Sequence, residues 1–183
     1  MKNTRTMVLT ALMTALICVG TMIIRIPTPG LGYIHPGDGF VLLSGLLLGP
    51  IYGSLAAGLG SAMADIFSGY VIYAPATFVI KVLCAMVAYM ACNTMQKSKL
   101  HKGSLLNAST TLVISGFAGE TVMVIGYFLF DILLVALSTD TGAAGFAAGV
   151  ISAASGLLPN FIQAAFGVAI AACFYPAFKR AGR

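Results

Sequence analysis

The chain is dominated by six apolar segments, separated by short breaks that contain glycine, proline or charged residues. Hydrophobic residues make up 59% of the sequence and charged residues only 8%, against roughly 25% charged residues in a soluble domain. A bilayer core of about 30 Å needs about 20 apolar residues per helical span, so the 183 residues provide six spans with short loops. The segments cover residues 7–24, 39–51, 53–67, 75–92, 107–137 and 149–175.

The apolar runs are continuous rather than alternating, which indicates helices and not the strands of a membrane barrel. The sequence therefore predicts an all-α membrane protein, a six-transmembrane-helix bundle that forms a single domain over residues 1–183. The second and third segments are short and are joined only through Gly49, Pro50 and Gly53. We expect them to form a tight, partly broken hairpin buried by its neighbours, because irregular backbone at membrane depth needs protein around it.

The basic residues predict the orientation of the chain in the membrane. Lys and Arg concentrate in cytoplasmic loops, and with six spans three basic groups fall on one side. Both termini are therefore expected to be cytoplasmic, with residues 25–38, 68–74 and 138–148 facing outward. The net charge of +5 is accounted for by topology, so we expect no nucleic-acid partner. The basic groups are Lys2 and Arg5, then Lys97, Lys99 and Lys102, then Lys179, Arg180 and Arg183.

Ionisable side chains inside spans are candidates for function, because each costs at least about 2.5 to 3.5 kcal/mol to insert. All except Glu120, which is predicted near mid-depth, fall in the outer half of the bundle. We expect them to converge on a binding cavity that opens to the exterior. The candidates are Asp38, Asp65, Lys81, Glu120 and Asp131.

Each of these groups also has a structural explanation. Lys81 can extend its stem toward the membrane interface or pair with Asp65. Asp65 and Asp131 can cap helix ends or lie in the hydrated interface. Glu120 can be a protonated, hydrogen-bonded group within the bundle. The residue types alone leave these alternatives open.

Aromatic and amide residues complete the candidate site. Asn160 and Gln163 lie one turn apart on the sixth span and offer amide donors and acceptors. With the carboxylates, these residues suit a flat, polar, ring-containing solute. Interfacial aromatic belts and hydrogen bonds between helices explain the same residues. The aromatic members, on outer loops or in outer half-spans, are Tyr33, His35, Tyr73 and Tyr127.

Sequence patterns of enzymes and of ATP-driven proteins are absent. The chain has no GxxxxGK[ST] phosphate loop, so ATP-dependent work would need another subunit. It has no HExxH or GxSxG motif. The four cysteines, at positions 18, 84, 92 and 173, show neither paired nor metal-ligand spacing. We therefore expect no catalysis, no metal site and no cofactor.

The stretch YIHPGDGFVLLSGLLLGPIYGSLAAGLGSAMADIFSGYVIYAPATFVIK, residues 33–81, resembles the substrate-binding S components of energy-coupling factor (ECF) vitamin transporters. The rest of the chain is similar to them in length, six-span layout and cytoplasmic termini. Within the family it looks most like the branch assigned to hydroxymethylpyrimidine or pyridoxine, which is also similar to riboflavin-type members. The resemblance implies a multi-pass protein of the prokaryotic plasma membrane that binds a vitamin at its outer side.

The resemblance also implies partners. S components dock on a transmembrane coupling subunit driven by two cytoplasmic ATPase subunits, which would supply the missing energy source. The alanine motif of the family's first helix maps onto Ala11 and Ala15, the expected contact with the coupling subunit.

The loop Arg25–Asp38 corresponds, by the same resemblance, to the family's lid over the vitamin. Tyr33, His35 and Asp38 would then close the pocket from above. The alternative for Asp38 is an N-cap of the following helix.

Two other functions stay open on the residues alone. A stand-alone secondary transporter would use Glu120 or Asp131 as a proton-coupling acid. An intramembrane enzyme would need a nucleophile or metal constellation, which the sequence does not contain. The ligand stays open among pyridoxine, hydroxymethylpyrimidine and another heterocycle.

Overall fold

The computed structural model describes residues 2–27, 33–97, 108–138 and 142–181. Within these residues β1 (Ile26–Pro27) pairs with β2 (Tyr33–Ile34) in a two-stranded antiparallel ribbon that sets Ile26 opposite Ile34. The all-helical architecture predicted from the continuous apolar runs is confirmed. The six described helices are α1 Lys2–Ile23, α2 Gly37–Leu48, α3 Tyr52–Phe67, α4 Ala74–Lys97, α5 Ala108–Ser138 and α6 Ala143–Ala181.

Four of the described helices, α1, α4, α5 and α6, are long and apolar enough to cross a membrane. The 12 residues of α2 and the 16 of α3 give lengths of about 18 and 24 Å at 1.5 Å per residue. Both are shorter than a hydrocarbon core of about 30 Å. The count of six membrane spans therefore stays a prediction.

The last helix is longer than the apolar pattern predicts. The expected span was residues 149–175, whereas α6 runs from Ala143 to Ala181 and continues through Pro159 and Pro176. Proline is tolerated in membrane helices because neighbouring groups satisfy the backbone carbonyls that it frees. Similarly, α4 continues past the predicted end at residue 92 to Lys97, because polar residues end an apolar run but do not end a helix.

The short helices α2 and α3 form the predicted tight hairpin. Gly49 ends α2 with φ 86°, a left-handed conformation that favours glycine. Gly53, at the start of α3, lies so close to α2 that a Cβ would be 2.2 Å from the carbonyl oxygen of Ser44. The Ser44 hydroxyl in turn donates a hydrogen bond to the carbonyl of Gly53 at 2.9 Å. Helices α2 and α3 can touch because Gly53 has no side chain.

Helix α2 occupies the centre of the bundle. It packs against α1, α3, α4 and α6, and its residues Val41, Leu42 and Leu43 are completely buried. Large apolar side chains such as Ile151 (74% exposed) and Leu158 (70% exposed) instead point away from the bundle. An outer surface this apolar fits a lipid environment rather than water.

Helices α4 and α6 both run antiparallel to α5. Tyr73, next to α4, meets Asp131 near the end of α5, and a Cβ on Gly149 near the start of α6 would lie 2.8 Å from the carbonyl oxygen of Ile132. The final turns of α4 and α6 therefore share one end of the bundle. These turns carry Lys97, Lys179 and Arg180, while Lys99, Lys102 and Arg183 lie outside the described residues.

A side chain at position 53 should separate the hairpin. We expect Gly53→Ala to lower the free energy of unfolding by about 1 to 3 kcal/mol, because the methyl group meets backbone atoms that cannot turn aside. Thermal unfolding in detergent measures this as a Tm several degrees lower. Gly156→Ala is the matched control, since a Cβ there comes no closer than 3.7 Å to another group. Equal Tm values for the two variants would contradict the close packing of α2 and α3.

Candidate functional site

A buried ion pair lies between α2 and α4. Lys81 of α4 pairs with Asp38 in the first turn of α2, and both side chains are fully shielded from solvent. The second carboxylate oxygen, Asp38 Oδ2, accepts a hydrogen bond of 2.7 Å from Nε2 of Gln163 on α6. One carboxylate thus joins three helices. Three of the structural alternatives for these residues, two for Lys81 and one for Asp38, are thereby corrected.

Lys81 neither extends to an interface nor forms its salt bridge with Asp65, because its ammonium is fully buried against Asp38. Asp38 is not an N-cap either: Pro36 holds that position, and no side chain caps the helix. Burial explains both results, since an ammonium taken out of water without a counterion costs several kcal/mol. The Asp38 carboxylate avoids that cost by pointing into the bundle, where it pairs with the Lys81 ammonium.

The loop before α2 is attached to this ion pair through Gln163. The backbone N–H of His35 donates to Gln163 Oε1 at 3.1 Å, so the one amide contacts both the loop and Asp38. His35 itself is buried, and its Nδ1 accepts a hydrogen bond of 3.2 Å from the backbone N–H of Gly37. Burial lowers the pKa of His35 from 6.5 to about 4, with Asp38 opposing this shift and Lys81 adding to it. The ring is therefore neutral at physiological pH.

Glu120 of α5 lies beside the ion pair with an unused oxygen. Its side chain is 1% exposed, and Oε2 has no hydrogen-bond partner among the described residues. The other oxygen, Oε1, lies 3.9 Å from Cys84 Sγ. A Cβ on Gly167 would lie 2.9 Å from Asp38 Cβ and 3.3 Å from Glu120 Oε1, so this glycine lets α6 approach both acids. We call Asp38, Lys81, Glu120 and Gln163 the inner cluster.

Polar contacts continue along the interface between α4 and α5. The hydroxyl of Tyr127 donates to Thr77 Oγ1 at 3.1 Å. The Lys81 ammonium lies 5.4 Å from the centroid of the Tyr127 ring, within the range of a cation–π contact. Residues 73, 77, 81 and 84 are three or four positions apart, so they lie on one face, and each contacts a residue of α5. Tyr127 therefore connects the inner cluster to a second group of polar residues.

This second group, the outer cluster, consists of Tyr73, Asp131 and Asn160. The Tyr73 hydroxyl donates to Asp131 Oδ1 at 2.9 Å, and its ring packs edge-on against Phe130 at 5.2 Å. Burial, followed by the nearby Asp131 carboxylate, raises the pKa of Tyr73, so its hydroxyl stays a donor. A Cβ on Gly156 would lie 3.7 Å from Asp131 Oδ2 and 3.9 Å from Asn160 Nδ2. The Asp131 carboxylate and the Asn160 amide thus both lie next to Gly156. The side chains of Tyr73, Asp131 and Asn160 are all half-buried.

The remaining predicted residues are less central. Asp65 is buried in the last turn of α3, and its carboxylate acts electrostatically on Tyr73 and Tyr127. Tyr33 contributes backbone to β2, and its side chain lies outside the described part of the chain. Ala11 and Ala15 are exposed on α1 and line an apolar groove of about 590 Å³ between α1 and α3.

Two contacts were not predicted. Thr77 contacts Tyr127 and Cys84 contacts Glu120, although the spacing of the cysteines had indicated no role for Cys84. Their spacing from Lys81, one turn before and one turn after, was the available signal, because residues at i, i+3 and i+4 share a helix face.

The geometry defines a helical membrane protein with a buried polar site beneath a loop, and comparisons with known proteins agree. A family model described as "ECF-type riboflavin transporter, S component" matches residues 1–180. The solved structure of the S component of a bacterial ECF transporter superimposes with a TM-score of 0.61 at 20% identity, covering 98% of this chain and 96% of that one. An uncharacterized protein in the gap 3′ region of Pyrococcus woesei is 32% identical over 144 residues, covering 78% of this chain and 87% of the relative.

The chain belongs to the ECF-type transporter S components. These are non-enzymatic, substrate-binding subunits that bind a vitamin and partner with an ECF module of membrane and ATPase subunits. The family predicted from residues 33–81 is therefore confirmed, and it is a family of non-enzymatic subunits. The hydroxymethylpyrimidine or pyridoxine branch stays a prediction.

Removing one partner of the ion pair should destabilise the fold. We expect Lys81→Met to cost about 3 to 5 kcal/mol, because it leaves the Asp38 carboxylate buried without a counterion. The double variant Asp38→Asn with Lys81→Met should recover most of that loss. Thermal unfolding of the purified protein measures both. Additive losses in the double variant would contradict a direct pairing of these groups.

Acid should weaken the folded state through His35. The unfolded chain takes up a proton near pH 6.5 but the folded chain only near pH 4, so stability is lost as the pH falls between these values. The loss reaches as much as about 3 kcal/mol below pH 4. We expect Tm to fall more steeply from pH 7 to pH 5 in the wild type than in His35→Asn, which keeps a hydrogen-bond acceptor but does not titrate. Parallel pH profiles would contradict a buried, neutral His35.

Proposed function

We propose that this protein captures a water-soluble vitamin at the outer face of the plasma membrane for ATP-driven uptake by an ECF module. The observation that carries the proposal is the Gln163 amide, which contacts the loop at His35 and the buried carboxylate of Asp38. A loop attached to the centre of a polar site is suited to closing over a solute. Family membership supplies the class of solute and the source of energy.

The ligand that we propose is a flat heterocyclic vitamin. Tyr73 and Tyr127 offer ring faces, and the carboxylates and amides of both clusters offer hydrogen bonds. Riboflavin is the first candidate, because the matching family model is described by it. Pyridoxine and hydroxymethylpyrimidine are the alternatives that the sequence favoured.

For the partner, we propose that the transmembrane coupling subunit docks along α1 at Ala11 and Ala15. Both alanines are exposed at the apolar groove between α1 and α3. Small side chains let a second helix approach closely in a membrane. In the proposed complex both termini of the chain are cytoplasmic, on the same side of the membrane as the two ATPase subunits.

A stand-alone, proton-coupled transporter is the second candidate, because Glu120 is a buried acid whose Oε2 has no hydrogen-bond partner among the described residues, as a proton-carrying acid in a membrane would be. Proteoliposomes distinguish the two functions. We expect vesicles with this chain alone to bind the vitamin without accumulating it, and vesicles with the ECF module and ATP to accumulate it. Accumulation by the chain alone, driven by a pH gradient, would support the second candidate and contradict the first.

Loss of a site amide should weaken vitamin binding. We expect Asn160→Ala to raise the Kd of the bound vitamin about tenfold, the effect of one lost hydrogen bond. Asn93→Ala is the matched control, because Asn93 lies on α4 twelve residues beyond Lys81, about 18 Å along the helix. Isothermal titration of both purified variants gives the comparison. Equal Kd values for the two would remove Asn160 from the site.

A further inference from the structure

The ring of His35 lies between two hydrogen-bond donors. The backbone N–H of Gly37 donates to its Nδ1 at 3.2 Å, and its Nε2 lies 3.5 Å from Nε2 of Gln163. A neutral imidazole accepts a hydrogen bond at only one of its two nitrogens, and an imidazolium accepts none because both nitrogens carry hydrogen. The ring therefore fits this position only while it is neutral.

The Gln163 amide cannot turn over to offer the ring an acceptor. Its Oε1 accepts the backbone N–H of His35 at 3.1 Å, and its Nε2 donates to Asp38 Oδ2 at 2.7 Å. Exchanging the two ends would set the NH₂ group against the N–H of His35 and the oxygen against the carboxylate. The donor that faces the ring is thus fixed from both sides. A proton added to the ring leaves N–H groups facing each other at both nitrogens.

The groups around His35 oppose a charge on the ring. Burial is the largest effect, and it lowers the pKa of His35 from 6.5 to about 4. Asp38 of α2 favours the charged ring, whereas Lys81 of α4 disfavours it. The Asp38 carboxylate is already engaged by Lys81 and Gln163. Thr21 on α1 and Gln163 on α6 face the same turn with neutral side chains.

His35 attaches its segment of the chain through two neighbouring amides. Its own N–H is bonded to Gln163, and its ring holds the N–H of Gly37. Strand β2 ends directly before His35, and Asp38 in the first turn of α2 follows Gly37. Loss of the ring contacts therefore frees the connection between β2 and α2, next to the inner cluster.

We propose that His35 is an acid-sensitive latch, in which a proton taken up from water by the ring breaks its contacts with Gly37 and Gln163 and opens the loop over the inner cluster. On the outer face of the membrane the latch meets the pH of the medium directly. The inference rests on the proposed function in one respect: the loop that opens is the one proposed to enclose the vitamin. Acid therefore weakens capture.

The two protonation equilibria set the size of the effect. With the segment displaced, His35 faces water and binds a proton near its ordinary pKa of 6.5, whereas in place it does so only near pH 4. The form that binds the proton more tightly gains population as the pH falls, and between pH 7 and pH 5 the open segment gains about twentyfold. This opening is local, because the helices of the bundle stay folded.

Hydrogen–deuterium exchange of the ligand-free protein at pH 7, 6 and 5, corrected for the intrinsic rate at each pH, tests the latch. In the wild type we expect protection of the amides of His35 and Gly37 to fall at least about tenfold from pH 7 to pH 5. Protection of the α2 amides at residues 41–48 should stay within about twofold. In His35→Asn, whose side-chain oxygen accepts the Gly37 N–H but does not titrate, both segments should stay within about twofold.

Three results would overturn the latch: unchanged protection of residues 35 and 37 at pH 5 in the wild type, an equal loss in His35→Asn, or a simultaneous loss over residues 35–48, which is global unfolding. If His35→Asn does not fold, His35→Gln replaces it, because its amide oxygen can accept from Gln163. Riboflavin binding is measured separately at pH 7. Its absence would count against the proposed function but not against the latch, because the exchange measurement uses no ligand.

Discussion

The buried pair of Asp38 and Lys81 is the interaction on which the rest of the structure depends. Two opposite charges at the centre of an apolar bundle are tolerated only together, because each alone would cost several kcal/mol. Their pairing fixes the first turn of α2 against α4. Through Gln163 it also fixes α6 and the loop at His35. The polar residues that we propose bind the solute therefore also determine how the helices pack.

Close approach of the helices makes this arrangement possible. Gly53 lets α3 touch α2, and Gly167 lets α6 reach the side chains of Asp38 and Glu120. With a side chain at position 167, α6 could not approach Asp38 and Glu120 this closely. In an S component, which binds its vitamin without catalysis, such a site needs only to recognise and enclose the solute, and the ECF module supplies the work.

The sequence predicted the helical class and family because both follow from local patterns, namely continuous apolar runs and the stretch over residues 33–81. It also identified Asp38, Lys81 and Gln163 as candidates, because polar groups are conspicuous in apolar segments. It could not predict their pairing. Asp38 and Lys81 are 43 positions apart and His35 and Gln163 are 128 apart, so these contacts depend on how the helices cross. The full length of α6 was missed at both ends: the predicted span of residues 149–175 already included Pro159, but the helix begins at Ala143 and continues through Pro176 to Ala181.

Hydrogen–deuterium exchange at the amide of His35 tests most directly whether this network holds the loop closed. That N–H is bonded to Gln163 Oε1, and the account predicts slow exchange over residues 33–38 in the wild type. Exchange should become much faster in Gln163→Ala but not in Asn160→Ala, one turn away on the same helix. Equal protection of the segment in all three proteins would contradict the claim that the loop is attached to the site through Gln163.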